Sequence, residues 1–197
     1  MHIHRLFFLA VCMAAFLASS CNKSNDRPEE ETPAGDYYIR YKANGVSHVY
    51  TDSKLIHAVF LKLPETGANQ YLINGRLHAG DQNRDAVFIV ITDDKPLKTG
   101  TVYRLGNWLE WPEHNQSAPQ VAGSYYNASG EKYFAQLRQL GSLPFEVKDD
   151  ATAQLSQITD KAIKGTFSMR AFTTYPDLRE VMITEGEFHV PVLASNQ

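Results

Sequence analysis

The chain has 197 residues, 43 % of them hydrophobic, with 19 basic side chains against 22 acidic ones. That length suffices for one domain with a full core. The mildly acidic balance argues against a nucleic-acid partner, which demands a basic surface.

The chain opens MHIHRLFFLAVCMAAFLASSC. Arg5 and the amino terminus make a positive start, and Leu6 to Ala18 is an apolar run of 13 residues. A bilayer span needs about 20, so the run has the size of a secretory signal. Ala18, Ser19 and Ser20 then lead into Cys21. The stretch resembles a bacterial lipobox, in which the cysteine thiol is acylated and cleavage falls just before it. Leu17 stands one place earlier than the strict pattern asks, as in the relaxed boxes of Bacteroidetes lipoproteins. A plain signal-peptidase site and a retained membrane anchor are the alternatives. A single fatty chain holds a protein only marginally, whereas several make attachment persistent. The resemblance therefore implies a firm lipid anchor (palmitate among its chains) at Cys21. Cys12 leaves with the signal peptide, so no disulfide is expected.

Residues 22–35, NKSNDRPEEETPAG, carry Asp26, Glu29, Glu30 and Glu31, two prolines and no large apolar side chain. Such a stretch cannot bury enough surface to offset its ordering entropy. It reads as a disordered acidic tether. It also resembles the export signal that sends some Bacteroidetes lipoproteins to the cell surface; a plain solvated linker explains it equally well. The expected organisation is a lipoprotein signal peptide over 1–20, a tether over 21–35 and a single all-β domain over 36–197. The expected location is the outer membrane, lipid-anchored, facing either the cell surface or the periplasm.

Strand signals follow in order. In YYIRYKANGVSHVYT, Tyr37, Ile39 and Tyr41 alternate with Tyr38, Arg40 and Lys42, and Val46, His48 and Tyr50 alternate back. Asn44-Gly45 between them is a preferred two-residue hairpin turn. LIHAVFLKL (55–63) reads as strand from its branched content and flanking turn residues. NQYLINGRLHA (69–79) and DAVFIVITDD (85–94) read as an antiparallel pair across Gly80–Arg84. Ala86 to Ile91 is apolar throughout, which predicts burial on both faces. QVAGSYYNASGEKYFAQLRQ reads as strand, Asn-Ala-Ser-Gly turn and strand. ATAQLSQITDKAIKGTFSMRAFT is a hairpin turning at Asp160-Lys161, and LREVMITEGEFHVPVL closes the domain with Glu185-Gly186 as turn or bulge. No stretch carries a convincing helical stripe. Short strands with regular turn signals predict an all-β antiparallel β-sandwich, with a lipocalin-like β-barrel as the alternative.

The pattern ATAQLSQITDKAIKGTFSMRAF followed by VMITEGEFHVPV is similar to the C-terminal part of uncharacterised Bacteroidetes lipoprotein families. PLKTGTVYRL and KANGVSHVY fit the same likeness. It implies an all-β fold and an envelope location, and no activity. Gly165, Phe167, Gly186 and Phe188 are the expected structural residues: glycines at bulges or turns, phenylalanines in the core.

The loop GNWLEWPEHNQSAP (106–119) holds both tryptophans of the chain, Trp108 and Trp111, beside Glu110, Glu113, His114 and Asn115. Indole faces stack on sugar rings, and carboxylates and amides bond to hydroxyls. Trp108, Trp111, Glu110, His114 and Asn115 are therefore the candidate ligand-binding residues, for a glycan, a peptide or a protein partner. The competing reading is a tryptophan capping the open end of the core. A glycosidase needs two carboxyls flanking one bond, at roughly 5–10 Å; Glu110 and Glu113, three apart around a proline, fit that poorly. Asp81, Asn83 and Asp85 have the alternating spacing of a calcium loop. However, Ala86 stands where that loop needs glycine and Thr92 where it needs glutamate, so a hairpin turn explains them better. His48, His57, His78, His114 and His189 show no zinc-ligand spacing. Nucleophile elbow, phosphate loop and dinucleotide fingerprint are all missing. The expected function is a non-enzymatic envelope binding module without metal or cofactor. An assembly component that pairs through an exposed sheet edge is the alternative, and a hydrolase the remotest one.

Overall fold

The computed structural model describes residues 36–64, 66–106, 119–135, 148–174 and 176–193. Eleven strands run through them: β1 Tyr38–Ala43, β2 Val46–Tyr50, β3 Ile56–Lys62, β4 Asn69–Arg76, β5 Ala86–Asp93, β6 Val102–Arg104, β7 Gln120–Tyr126, β8 Lys132–Ala135, β9 Asp150–Ile158, β10 Ala162–Phe172 and β11 Glu180–Leu193. There is no helix among the described residues. The protein is all-β.

Local chemistry sets the hairpins. Asn44 and Gly45 take φ of 48° and 82°, the left-handed pair a two-residue turn requires. This fixes Tyr41 opposite His48 and Ile39 opposite Tyr50. Between β7 and β8, the Asn127 side-chain oxygen accepts from the backbone of Ser129 and Glu131, and Gly130 closes the turn at φ 83°. Between β9 and β10, the Thr159 hydroxyl accepts from the Ala162 amide. Glu185-Gly186 is a bulge. Lys42 faces Thr184 while Arg40 faces Glu187, so β11 holds one residue more than β1 over that stretch. Glu185 absorbs it at φ 52°.

The strands form one continuous sheet in the order β2-β1-β11-β3-β4-β5-β7-β8-β10-β9-β6, and a further β10–β11 pairing closes it on itself. One layer is β2-β1-β11-β10-β9-β6 and the other is β3-β4-β5-β7-β8. The long strands β10 and β11 turn both corners. β11 pairs with β1 over 183–189 and then with β3 through Val192 and Leu193. β10 pairs with β9 and then reaches β8 through Phe172 and Phe134. The fold is thus a sandwich closed at its corners, part-way to a barrel. Its pairings are antiparallel except β3–β11, which is parallel, as is the isolated bridge from Leu105 to Val121.

The core lies between the layers, with Ile39, Ile73, Ile89, Leu155, Ile183 and Phe188 at 0–1 % exposure. Two reciprocal pairs bring β10 and β11 together: Gly165 faces Phe188, and Phe167 faces Gly186. Each ring covers the opposite glycine, which leaves no room for a Cβ. β5 differs from the two-sided burial its apolar run predicts. Val87, Ile89 and Ile91 fill the core, whereas Phe88 and Val90 point outward and are only half-buried. Among the described residues, the outer face of its layer packs against no other strand layer.

Candidate functional site

The ligand-binding candidates Trp108, Glu110, Trp111, His114 and Asn115, and the lipidation candidate Cys21, lie outside the described residues. The feet of the tryptophan loop are described. The chain leaves after Leu105 and Gly106 and returns at Pro119 into β7. Leu105 bridges to Val121, and its amide donates to the Ala151 carbonyl at 2.8 Å. The two feet are therefore held side by side, at the end of β7 paired with the end of β5. Asp93 stands at that end of β5, 7 % exposed, with Oδ1 accepting from the Lys95 amide at 3.0 Å. Burial pushes its carboxyl above the usual range, and the neighbouring Asp94 adds to this while the Lys95 amide opposes it.

A second cluster lies at the other end of β7. Because side chains alternate along a strand, Tyr41 of β1, His48 and Tyr50 of β2 and Tyr125 of β7 all turn toward the interior. Tyr41 stacks on His48 with ring centres 5.0 Å apart and meets Tyr50 and Tyr125 edge-on. The Tyr41 and Tyr50 hydroxyls share a buried hydrogen bond of 2.7 Å. Asp85 belongs to the same cluster. Its amide donates to the Asn127 carbonyl and its carbonyl accepts from the Leu77 amide, which ties two hairpins together. It takes φ 43°, a strained value for a side chain other than glycine. Its carboxylate, 13 % exposed, lies 3.1 Å from His78 Nε2.

The electrostatics follow from burial around one charge. Desolvation drives the Tyr41, Tyr50 and Tyr125 hydroxyls above the ordinary phenol range, and the Asp85 charge pushes them in the same direction. Desolvation lowers His48, and Asp85 opposes that shift. The result is a set of neutral tyrosine hydroxyls and the His48 imidazole near a single carboxylate. The Tyr41 and Tyr50 hydroxyls, 2 % and 3 % exposed, satisfy each other. Among the described residues no three His, Cys, Asp or Glu side chains are grouped to hold a metal ion. The calcium spacing of Asp81, Asn83 and Asp85 is spent on turn chemistry: Asp81 Oδ1 accepts from the Asn83 amide at 2.9 Å, and Asp85 faces His78.

Sequence reasoning missed this cluster. The inward alternation of Tyr41, His48 and Tyr50 was visible in the hairpin pattern, but their meeting with Tyr125 and Asp85 joins strands distant in the chain. His57, also assigned to a strand, lies on the outer face of β3, and His189 packs against Tyr37 and Tyr38. No family model, curated protein or solved structure matches this chain.

Proposed function

We propose that this chain is a lipid-anchored envelope protein, tethered through Cys21 in the outer membrane, whose β domain is a non-enzymatic binding module for a glycan, peptide or protein partner. The lipobox-like run ending at Cys21 and the acidic stretch behind it support the location. The observation that carries the binding reading is the tryptophan loop. Its residues join indoles, carboxylates, an imidazole and an amide, and the Leu105–Val121 bridge holds its feet together. Loops on a rigid scaffold are where recognition concentrates. A second reading, an assembly component pairing through a sheet edge, draws support from β2. It is one edge strand of its layer, with β6 at the other end, and its Val46 and Val49 are 62 % and 47 % exposed; an apolar edge strand invites pairing.

Two measurements test the proposal. Cells fed a palmitate analogue should label the protein, and Cys21→Ala should abolish both the label and recovery in the outer-membrane fraction; unchanged recovery sinks the anchor. Glycan arrays and envelope pull-downs should then yield a partner whose binding Trp111→Ala removes with stability unchanged. A loss of about 3–5 kcal/mol of stability would instead assign Trp111 to the core.

A further inference from the structure

The two outer faces of the sandwich differ in kind. On the layer containing β1, β10 and β11, charges are paired: Arg40 with Glu187 at 3.0 Å, Lys42 with Glu185 at 2.7 Å, and Arg170 with Glu180 through two hydrogen bonds. That is an ordinary solvated face. The register of the other layer gives a different surface, graded along the strands. Its first row holds Arg76, Tyr126 and Lys132, with Ala86 fully buried between Arg76 and Tyr126. The second holds His57, Asn74, Phe88, Ser124 and Phe134. The third holds Val59, Leu72, Val90 and Ala122. The face therefore passes from cationic to aromatic to aliphatic over about 13 Å. None of these rows contains a carboxylate.

The cations of the first row have no acidic partner among the described residues. Lys132 lies over the Tyr126 and Phe134 rings, 5.2 and 4.3 Å from their centres. Arg76 Nε is buried with no hydrogen-bond partner, and so is Asn74 Oδ1 two residues earlier on the same face. Native structures rarely leave such atoms unsatisfied, and a guanidinium is the group least suited to it. His57, across from Asn74, is held toward its neutral form by burial and by the Arg76 charge, so the local charge is that of Arg76. A guanidinium offers forked donors that match a carboxylate or phosphate.

We propose that this face binds a single anionic amphiphile lying flat on the sheet. Its carboxylate or phosphate head is held at Arg76, and its hydrocarbon chain runs over Phe88 and across Leu72, Val90 and Val59. The in-plane gradient selects one molecule over a bilayer surface, which would favour cations spread around an apolar centre. The site shares no residue with the tryptophan loop or with the anchor.

The test is calorimetric titration of the purified protein with dodecyl phosphate below its micelle concentration, beside dodecanol and inorganic phosphate. The expected result is saturable one-to-one binding of dodecyl phosphate, with each half-ligand at least about tenfold weaker. Arg76→Gln should weaken binding about tenfold and Arg76→Lys less. Asn74→Asp, which sets a carboxylate beside the head, should abolish it. Circular dichroism of each variant separates lost binding from lost fold. Absence of saturable binding overturns the proposal, as does equal affinity in folded Arg76→Gln. Binding to phosphatidylglycerol vesicles without binding to the monomer overturns it in favour of membrane docking.

Discussion

The reciprocal Gly–Phe pairs of β10 and β11 predict a sharp cost for one added methyl group. A Cβ on Gly165 would stand 2.3 Å from the Gln154 carbonyl oxygen and 2.7 Å from Phe188 Cζ. The ring could tilt, but the carbonyl belongs to the β9–β10 ladder. It would have to retreat by about 0.7 Å to move from 2.3 Å to the 3.0 Å that real Cβ contacts respect. Overpacking costs about 1–3 kcal/mol, and a clash with backbone belongs at the top of that range, so Gly165→Ala should destabilise by about 3 kcal/mol. For a domain of this size that lowers Tm by about 6–12 °C. Urea unfolding followed by near-ultraviolet circular dichroism measures it. Gly80→Ala is the matched control, because nothing lies within 4 Å of its Cβ position; it should stay within about 0.5 kcal/mol of the parent. In a Phe188→Leu background Gly165→Ala should remain costly, since the backbone contact persists. A Gly165→Ala protein as stable as the control would refute the close approach of these strands.

Tyr41→Phe should cost about 1–3 kcal/mol, because it strands the buried Tyr50 hydroxyl. Tyr41→Phe with Tyr50→Phe should cost less than the sum of the two, and a strictly additive cycle would refute the pairing. Asp93 carries a pH signature. Its folded carboxyl binds a proton more tightly than the unfolded chain does, so this residue's penalty is present at neutral pH. The penalty is relieved as pH falls through the raised value. Asp93→Asn keeps an oxygen for the Lys95 amide, so it should stabilise at pH 7 and lose that advantage in acid. A difference between the two proteins that stays constant from about pH 7 to pH 3, across the carboxyl range, would refute the argument. Protease shaving of intact cells should clip the domain while a periplasmic control survives, if the acidic tether is an export signal; protection until lysis places it on the periplasmic side.

Much of this fold is written locally. Asn44-Gly45, the Asn127–Gly130 turn and Thr159–Lys161 each specify a hairpin, because few residues tolerate those backbone angles or satisfy those amides. Once a turn is set, the period of two decides which side chains face in. The run from Tyr38 to Tyr50 thereby turns Tyr41 and Tyr50 toward the core. Glu185-Gly186 was legible as an irregularity in β11, and the structure shows it to be a bulge.

What joins the hairpins is decided by tertiary structure. The closure of β10 on β11, the parallel step from β11 to β3 and the bridge from Leu105 to Val121 pair residues far apart in the chain. Such pairings depend on strand length, bending and complementary packing across the core, none of which leaves a local pattern. The same holds for both sites. The convergence of Tyr41, His48, Tyr125 and Asp85 needs three hairpins brought to one end. The gradient from Arg76 through Phe88 to Val90 emerges only when β3, β4, β5, β7 and β8 fall into register. The sequence by itself determined the class of the fold, its turns and the inward face of its strands, because these follow from short-range sterics and periodicity. The folded chain decided which faces are covered and which charges stand without a partner, because burial and pairing are properties of neighbours that the sequence does not list side by side.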